Sequence, residues 1–128
     1  MISRLRTSKA AKERMDSLNR ALHFSSNAVL LRLAIAKSIV ASKTVQEDKD
    51  ALVPDSSGFE ITRATLFGEN EALYKYAMGV KKNDPDETFF PTFTLMHIER
   101  GLKMLEREYK LTGNKDKFLT NIINKIEE

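Results

Sequence analysis

The apolar segment from Ala28 to Ala41 constrains the fold of this chain more than any other part of the sequence. Its hydrophobic residues occupy nearly every side of the helix that they would form, and such a helix has to be buried. Arg32 and Lys37 interrupt the segment, which is also shorter than the roughly 20 apolar residues that a membrane span requires. We therefore predict a central helix that is capped by Ser26-Asn27, in a cytoplasmic protein without membrane spans.

A length of 128 residues favours one domain with one core. We expect this single domain to cover residues 1–128, with a ribbon-helix-helix-like basic part at 1–43 and a helical layer at 58–128. Because a domain of this size offers few neighbours to cover a helix that is apolar all round, we also predict self-association as a dimer or a tetramer.

Apolar residues at helical spacing predict four more helices, and alternating residues predict two short strands. The helix at 71–82 should turn Leu73, Tyr76, Ala77 and Val80 toward the core. The expected fold class is mainly α, a small helical bundle made of a ribbon-helix-helix-like N-terminal unit and additional packed helices. The predicted strands cover residues 2–6 and 59–63, and the further helices cover 9–22, 71–82, 91–111 and 115–125, with a surface loop at 44–57.

Positive charge is concentrated in the first third of the chain. Residues 1–43 contain nine basic and two acidic side chains, net +7, whereas residues 44–128 contain twelve and sixteen, net −4. A mild net charge of +3 for the whole chain therefore hides a strongly uneven distribution. A basic region of this kind is expected to bind phosphates, which makes nucleic acid the leading candidate partner.

The basic segment Ile2-Ser3-Arg4-Leu5-Arg6 precedes two helices, which is the element order of a ribbon-helix-helix unit. In that unit two chains pair their strands and present alternate side chains to a groove of DNA. Arg4 and Arg6 share one face of the strand, and their planar guanidinium groups suit two-point binding to phosphates or guanine edges. Simple solvated charges would also explain two arginines on a terminal strand.

Ser26 and Asn27 offer a second phosphate site at the start of the central helix, because unpaired backbone N–H groups and the positive end of the helix dipole point outward there. Ordinary helix capping is the simpler explanation of these two residues taken alone. The predicted phosphate contacts are Arg4, Arg6, Lys9, Lys12 and Arg20, with Arg32 and Lys37 as second-rank candidates.

Cysteine is absent, which excludes disulfides, thiolate metal sites, iron–sulfur clusters and cysteine nucleophiles. His23 and His97 are the only histidines and are too far apart in sequence to suggest a zinc site. The glycine motifs that cradle phosphates in nucleotide-binding proteins are missing, and acidic residues near turns and helix starts fit capping. We therefore predict no catalytic residue, no metal and no cofactor.

Four segments give the chain a resemblance to the DndE family, the small subunit of bacterial DNA phosphorothioation systems. Residues 3–12 are similar to the arginine-rich strand and lysine-bearing first helix of that family, and residues 27–36 to its apolar second helix. The more distinctive segments are 58–69 and 97–101, in the same order and at similar separation. The chain departs from the family pattern at Ile61-Thr62, where Phe-Asn is more frequent, and in its extended C-terminal helix.

The resemblance implies a mostly helical tetramer that binds double-stranded DNA, with a liking for nicked duplex, beside larger subunits of the phosphorothioation complex. In such systems a cysteine desulfurase and an iron–sulfur subunit deliver the sulfur. A chain without cysteine cannot carry sulfur by thiolate, which agrees with a non-catalytic accessory role.

Two alternatives of other classes stay open. A ribbon-helix-helix repressor or antitoxin would bind a palindromic operator as a dimer, although the segment from Gly58 onward predicts a folded layer rather than a disordered toxin-binding tail. A DNA-nicking enzyme would use His97 together with Glu69 or Glu99 as its acid and base.

Overall fold

The computed structural model describes residues 1–113 and 115–127. The fold is mainly α, as predicted, with one small two-stranded sheet. Asn114 and Glu128, which belong to the predicted helical layer, lie outside the described residues. In chain order the elements are β1 (Arg4–Arg6), α1 (Lys9–Leu22), α2 (Asn27–Ile39), two 3₁₀ turns (Val45–Glu47 and Lys49–Ala51), β2 (Glu60–Thr62), α3 (Arg63–Phe67), a 3₁₀ turn (Gly68–Asn70), α4 (Glu71–Ala77), a kinked π-helical turn (Thr88–Phe93), α5 (Thr94–Thr112) and α6 (Lys115–Glu127).

The apolar helix α2 lies at the centre of the core and packs along α5. Leu30, Leu31, Ala34 and Ile35 are all 0 % exposed, which confirms the prediction of a buried helix. At the crossing, Gly101 of α5 lies directly against the backbone of α2. A Cβ atom at this position would be only 1.9 Å from the Ala34 carbonyl oxygen, so there is no room for a side chain. One chain therefore covers the middle of α2 by itself, and the apolar helix no longer requires a second copy.

Strand β1 pairs with β2 of the same chain in antiparallel register, with Arg4 opposite Thr62 and Arg6 opposite Glu60. This corrects the ribbon-helix-helix expectation, in which β1 would pair with the same strand of a second chain. The order of strand, helix and helix is right, and Leu5 faces the core while its two arginine neighbours face outward. Strand β1 has a partner within its own chain because β2, although more than 50 residues away in sequence, folds back beside it.

Helix α4 differs most from the sequence expectation. Leu73 is 65 % and Tyr76 is 85 % exposed, so the predicted inner stripe of α4 is wrong for these two residues and for the exposed Ala77. Val80 is half-buried but lies beyond the end of α4. The helix is rotated so that Tyr74 and Met78 face inward instead, with the Tyr74 ring 4.7 Å from that of Phe67.

Two buried aromatic residues of the next turn share the core with α4. Phe89 and Phe90 of the π-helical turn are both 0 % exposed and pack beside Phe67, the ring that Tyr74 also contacts. Helix α5 consequently begins at Thr94 rather than near Pro91. Within the described part of the chain, no helix is both long and apolar enough to cross a membrane.

Replacement of Gly101 by Ala tests the close packing of α2 and α5. Helix propensity alone predicts that Gly101→Ala stabilises the protein by up to about 1 kcal/mol. The contact with the Ala34 carbonyl predicts the opposite sign, a loss of about 1–3 kcal/mol from overpacking. Urea unfolding followed by circular dichroism measures the difference, and a variant as stable as the parent would contradict the packing.

Candidate nucleic-acid interface

The outer face of the β1–β2 sheet carries two arginines and one acid. The Arg4 and Arg6 side chains are 66 % and 49 % exposed, and Glu60 on the opposite strand lies within reach of both. Its carboxylate is 3.8 Å from Arg4 Nη1 and accepts a hydrogen bond of 3.3 Å from Arg6 Nη2. The exposed positions of both arginines on one face agree with the prediction, and Glu60 occupies part of the space that a phosphate would take.

The other predicted cations lie along the outer face of α1. Ser8 begins this helix by accepting a hydrogen bond of 3.0 Å from the Ala11 backbone N–H. Lys9 and Lys12 follow in the first turn, and the Lys12 ammonium is 3.1 Å from the Asp16 carboxylate. Arg20 lies near the other end of α1, roughly 16 Å beyond Lys9 at about 1.5 Å per helical residue. The predicted contacts therefore form a stripe rather than one compact cluster.

Ser26 and Asn27 lie beyond the far end of α1 and are both exposed. The Ser26 hydroxyl accepts a hydrogen bond of 3.2 Å from the Val29 backbone N–H, and the Asn27 side chain accepts one of 2.7 Å from Asn19. Ser26 thus serves as an ordinary helix cap, which was the simpler of the two sequence explanations. The two residues extend the stripe of α1 at the end where Arg20 lies.

The second-rank candidates Arg32 and Lys37 have structural partners. Arg32 donates to the carbonyls of Thr65 and Leu66 at the end of α3, at 3.2 and 3.3 Å. Lys37 forms an ion pair of 2.6 Å with Glu108 and its side chain is only 11 % exposed. Folding therefore brings an acid of the second half of the chain onto part of the basic N-terminal region, whereas Arg4 and Arg6 of β1 and Lys9, Lys12 and Arg20 of α1 stay exposed.

His97 belongs to a buried polar network and does not meet the acids of the enzyme alternative. Arg100 Nε donates to Ser38 Oγ at 2.8 Å, and Ser38 Oγ and His97 Nδ1 share a hydrogen bond of 2.8 Å. Burial, together with the positive charge of Arg100, lowers the pKa of His97 to about 4. Glu99 points to another part of the molecule, where it accepts a hydrogen bond of 2.6 Å from Ser8.

Arg63 is a central residue that sequence reasoning missed. It is 6 % exposed, holds both carboxylate oxygens of Asp86 at 2.8 Å, bonds Glu71, and donates to the Ile2 carbonyl at 3.3 Å. The hydrogen bonds that Arg63 donates to Asp86 and Glu71 raise the pKa of Arg63, and its guanidinium lowers the pKa of each carboxyl. The alternating pattern of residues 59–63 had suggested an ordinary strand end. The acids that follow in the sequence, among them Glu71 and Asp86, were the one sequence feature that could have indicated a buried cation.

These features define a small, mainly α protein whose N-terminal strand and first helix expose arginine and lysine around a closely packed helical core. The family model for DNA sulphur modification protein DndE matches residues 4–113. The chain therefore belongs to the DndE family, and membership implies a role in DNA phosphorothioation.

A solved structure supports the fold. It is described as the crystal structure of DndE from Escherichia coli B7A involved in DNA phosphorothioation modification. The two structures superpose with a TM-score of 0.61 at 13 % identity, over 80 % of this chain and 96 % of that chain. A search of curated proteins found no match.

The segments that carry the family resemblance are the ones that contact each other. Residues 3–12 meet residues 58–69 through the paired strands and through Gly58, where a Cβ atom would be 2.1 Å from the Ser8 carbonyl oxygen. Residues 97–101 meet residues 27–36 at the packing of α2 on α5. The segments that resemble the family are therefore the ones whose contacts hold the fold together. These contacts also fix the positions of β1 and α1, which carry the exposed cations.

The depressed pKa of His97 predicts a pH-dependent stability. The unfolded chain takes up a proton at the ordinary histidine pKa of 6.5, whereas the folded chain resists protonation down to about 4. The free energy of unfolding should therefore fall by up to about 3 kcal/mol as the pH drops through this window. Urea unfolding at a series of pH values measures the slope.

His97→Asn is the informative variant, because its amide can form a hydrogen bond with Ser38 in either direction but cannot titrate. Its stability should change much less between pH 6.5 and about 4 than that of the parent. His23→Asn, which removes an exposed histidine, should leave the parental slope in place. The carboxyls whose pKa values Arg63 lowers lose their stabilising effect as the pH falls below their ordinary pKa values of 4.5 and 3.8, and they do so equally in every variant. Equal slopes for His97→Asn and the parent would contradict a buried neutral histidine.

Proposed function

We propose that this protein is a non-catalytic, DNA-binding accessory subunit of a phosphorothioation system. It binds double-stranded DNA, prefers nicked duplex, and acts as a homo-oligomer beside the subunits that carry the sulfur chemistry. The observation that carries the proposal is the exposed pair Arg4 and Arg6 on the outer face of β1, continued by lysines on α1. The proposed DNA contacts are Arg4, Arg6, Lys9, Lys12, Arg20, Ser26 and Asn27.

The geometry of β1 favours phosphates as the ligand. Arg4 and Arg6 project from the same face of one strand, so their Cα atoms are about 7 Å apart, close to the separation of neighbouring phosphates along a DNA strand. Guanidinium groups bind phosphate oxygens in two places, and contacts to phosphate position a protein without reading sequence. Lys9 and Lys12 continue the positive surface onto α1, which supports backbone binding along several nucleotides.

A supporting rather than catalytic role agrees with the residues present. The chain has no cysteine that could carry sulfur, and the single buried histidine is held by Ser38 beside Arg100. The nicking-enzyme alternative needs His97 next to Glu69 or Glu99, but Glu99 bonds Ser8. Strand cleavage by the pure protein, lost in His97→Ala, would restore that alternative.

The repressor alternative depended on strand pairing between two chains. Strand β1 instead pairs with β2 of its own chain, so the observed strand pairing does not support a repressor. Tight binding to one intact palindromic operator, with little binding to other duplexes, would nevertheless favour a repressor over the proposed accessory subunit.

The double substitution Arg4→Ala/Arg6→Ala tests the proposed interface. It should weaken binding to all duplexes alike, and it should reduce the slope of log K against log salt by about 2, near 0.9 for each phosphate lost. Fluorescence anisotropy over a salt series, with intact, nicked and single-stranded DNA in competition, measures affinity and preference together.

The matched control is Arg107→Ala/Lys110→Ala, which removes the same charge from exposed positions on α5. This variant should bind like the parent. If both double variants lost affinity equally, binding would depend on overall charge and not on β1. Loss of preference at particular bases in Arg4→Ala/Arg6→Ala would instead show that the arginines read base edges.

Glu60 should compete with DNA for the two arginines. Glu60→Gln removes the carboxylate that contacts both guanidinium groups, so the affinity for DNA should rise by up to about fivefold, the range of an exposed ion pair. Glu47→Gln removes one exposed acid from a 3₁₀ turn outside the β1–β2 sheet and serves as the control. The same anisotropy assay compares them, and equal affinities for Glu60→Gln and Glu47→Gln would argue against phosphate binding at β1.

A further inference from the structure

A pocket of about 450 Å³ lies between α4 and the turn that follows it. The ring of Tyr76 forms part of its wall and is 85 % exposed, the largest exposed aromatic surface among the described residues. Apolar side chains of Ala72, Val80, Pro85 and Phe89 line the rest of the pocket. The pocket therefore offers a flat aromatic face beside an apolar floor.

The same pocket is lined by Lys75, Lys81 and Lys82. Residues 75–82 contain these three lysines and no acid, although they lie in the half of the chain that is acidic overall. The Lys75 ammonium is 3.5 Å from Glu71. Lys81 and Lys82 are exposed, and their ammonium groups form no ion pair with any described residue. Two cations are therefore available beside the ring of Tyr76.

The acids of the pocket are held by other groups. Asp86 receives two hydrogen bonds from Arg63, and Asp84 accepts a hydrogen bond of 2.8 Å from the Lys81 backbone N–H. Both carboxylates thus close the turn and hold the wall in place. Three lysines and two acids line the pocket, so its net charge is positive, and this favours an anionic ligand.

Arg63 links the wall of the pocket to the segment that enters β1. The guanidinium of this residue contacts Asp86 on the pocket wall and the Ile2 carbonyl at the start of β1. Arg4 follows two residues later on the same strand. One side chain therefore contacts both the pocket wall and the segment that carries Arg4.

We propose that Tyr76 stacks on an unpaired base of a DNA strand while Lys81 and Lys82 bind the adjacent phosphates. An exposed aromatic ring flanked by cations is the combination by which proteins hold single strands, because every base has a π face and every nucleotide a phosphate. A base inside an intact duplex is already stacked and cannot reach the ring. The inference rests on the proposed DNA binding and names the feature of an interrupted strand that this protein recognises.

The test compares a fluorescein-labelled duplex that carries a single-stranded overhang with a blunt duplex of the same length, by anisotropy at one ionic strength. Tyr76→Ala should weaken overhang binding roughly tenfold and leave blunt-duplex binding unchanged. Tyr76→Phe keeps the stacking face and should bind like the parent. Leu73→Ala removes an equally unpartnered side chain of α4 that does not line the pocket, and it should also behave like the parent.

The lysines have a separate readout. Lys81→Gln/Lys82→Gln should reduce the salt slope for overhang binding by about 1.4, near 0.7 for each single-strand phosphate. An unchanged overhang preference in Tyr76→Ala would overturn the stacking site. If Tyr76→Ala kept the overhang preference but lowered the molecular mass measured by light scattering, the exposed face of Tyr76 would instead contact a second copy of the chain. A wrong assignment of the DNA surface on β1 would give a different result from a wrong stacking site. In that case Arg4→Ala/Arg6→Ala would bind the blunt duplex as tightly as the parent does.

Discussion

The packing of α2 on α5 is the constraint on which the rest of the structure depends. Gly101 lets the two backbones approach until there is no room for a side chain, and leucines and isoleucine of α2 fill the space around this point. The close approach also brings Ser38 to His97 and Arg100, so one polar residue in an apolar helix is satisfied by two side chains of its neighbour. A buried polar group without such partners would be strongly destabilising.

Around this core, Arg63 joins parts of the chain that are distant in sequence. It connects the start of β1 to the turn before α5 and to α4, and its charge lies between 5.3 and 5.5 Å from the ring centres of Phe90 and Phe89. A buried arginine is tolerated because two carboxylates accept its hydrogen bonds. This side chain contacts both the segment before β1 and Asp86 on the wall of the pocket at Tyr76.

Sequence patterns predicted the regular elements well and the irregular ones poorly. The bounds of α1 agree with the prediction, because its apolar stripe is regular and Ser8 supplies a clear cap. The predicted inner face of α4 was wrong. Leu73 and Tyr76 have a helical spacing, but so do Tyr74 and Met78, and the sequence pattern cannot choose between the two pairs. The exposure of Arg4 and Arg6 followed from alternation alone, whereas Glu60 beside them required the register of β1 with β2.

The sequence by itself determined a buried α2, a mainly α fold and a basic N-terminal region, since each of these depends on local spacing and composition. Only the tertiary structure decided which cations stay exposed, because the acids that neutralise Arg14 and Lys37 come from α5, far along the chain. It also decided that β1 pairs within the chain and that Tyr76 faces solvent. Both depend on contacts between distant segments, which no local pattern encodes.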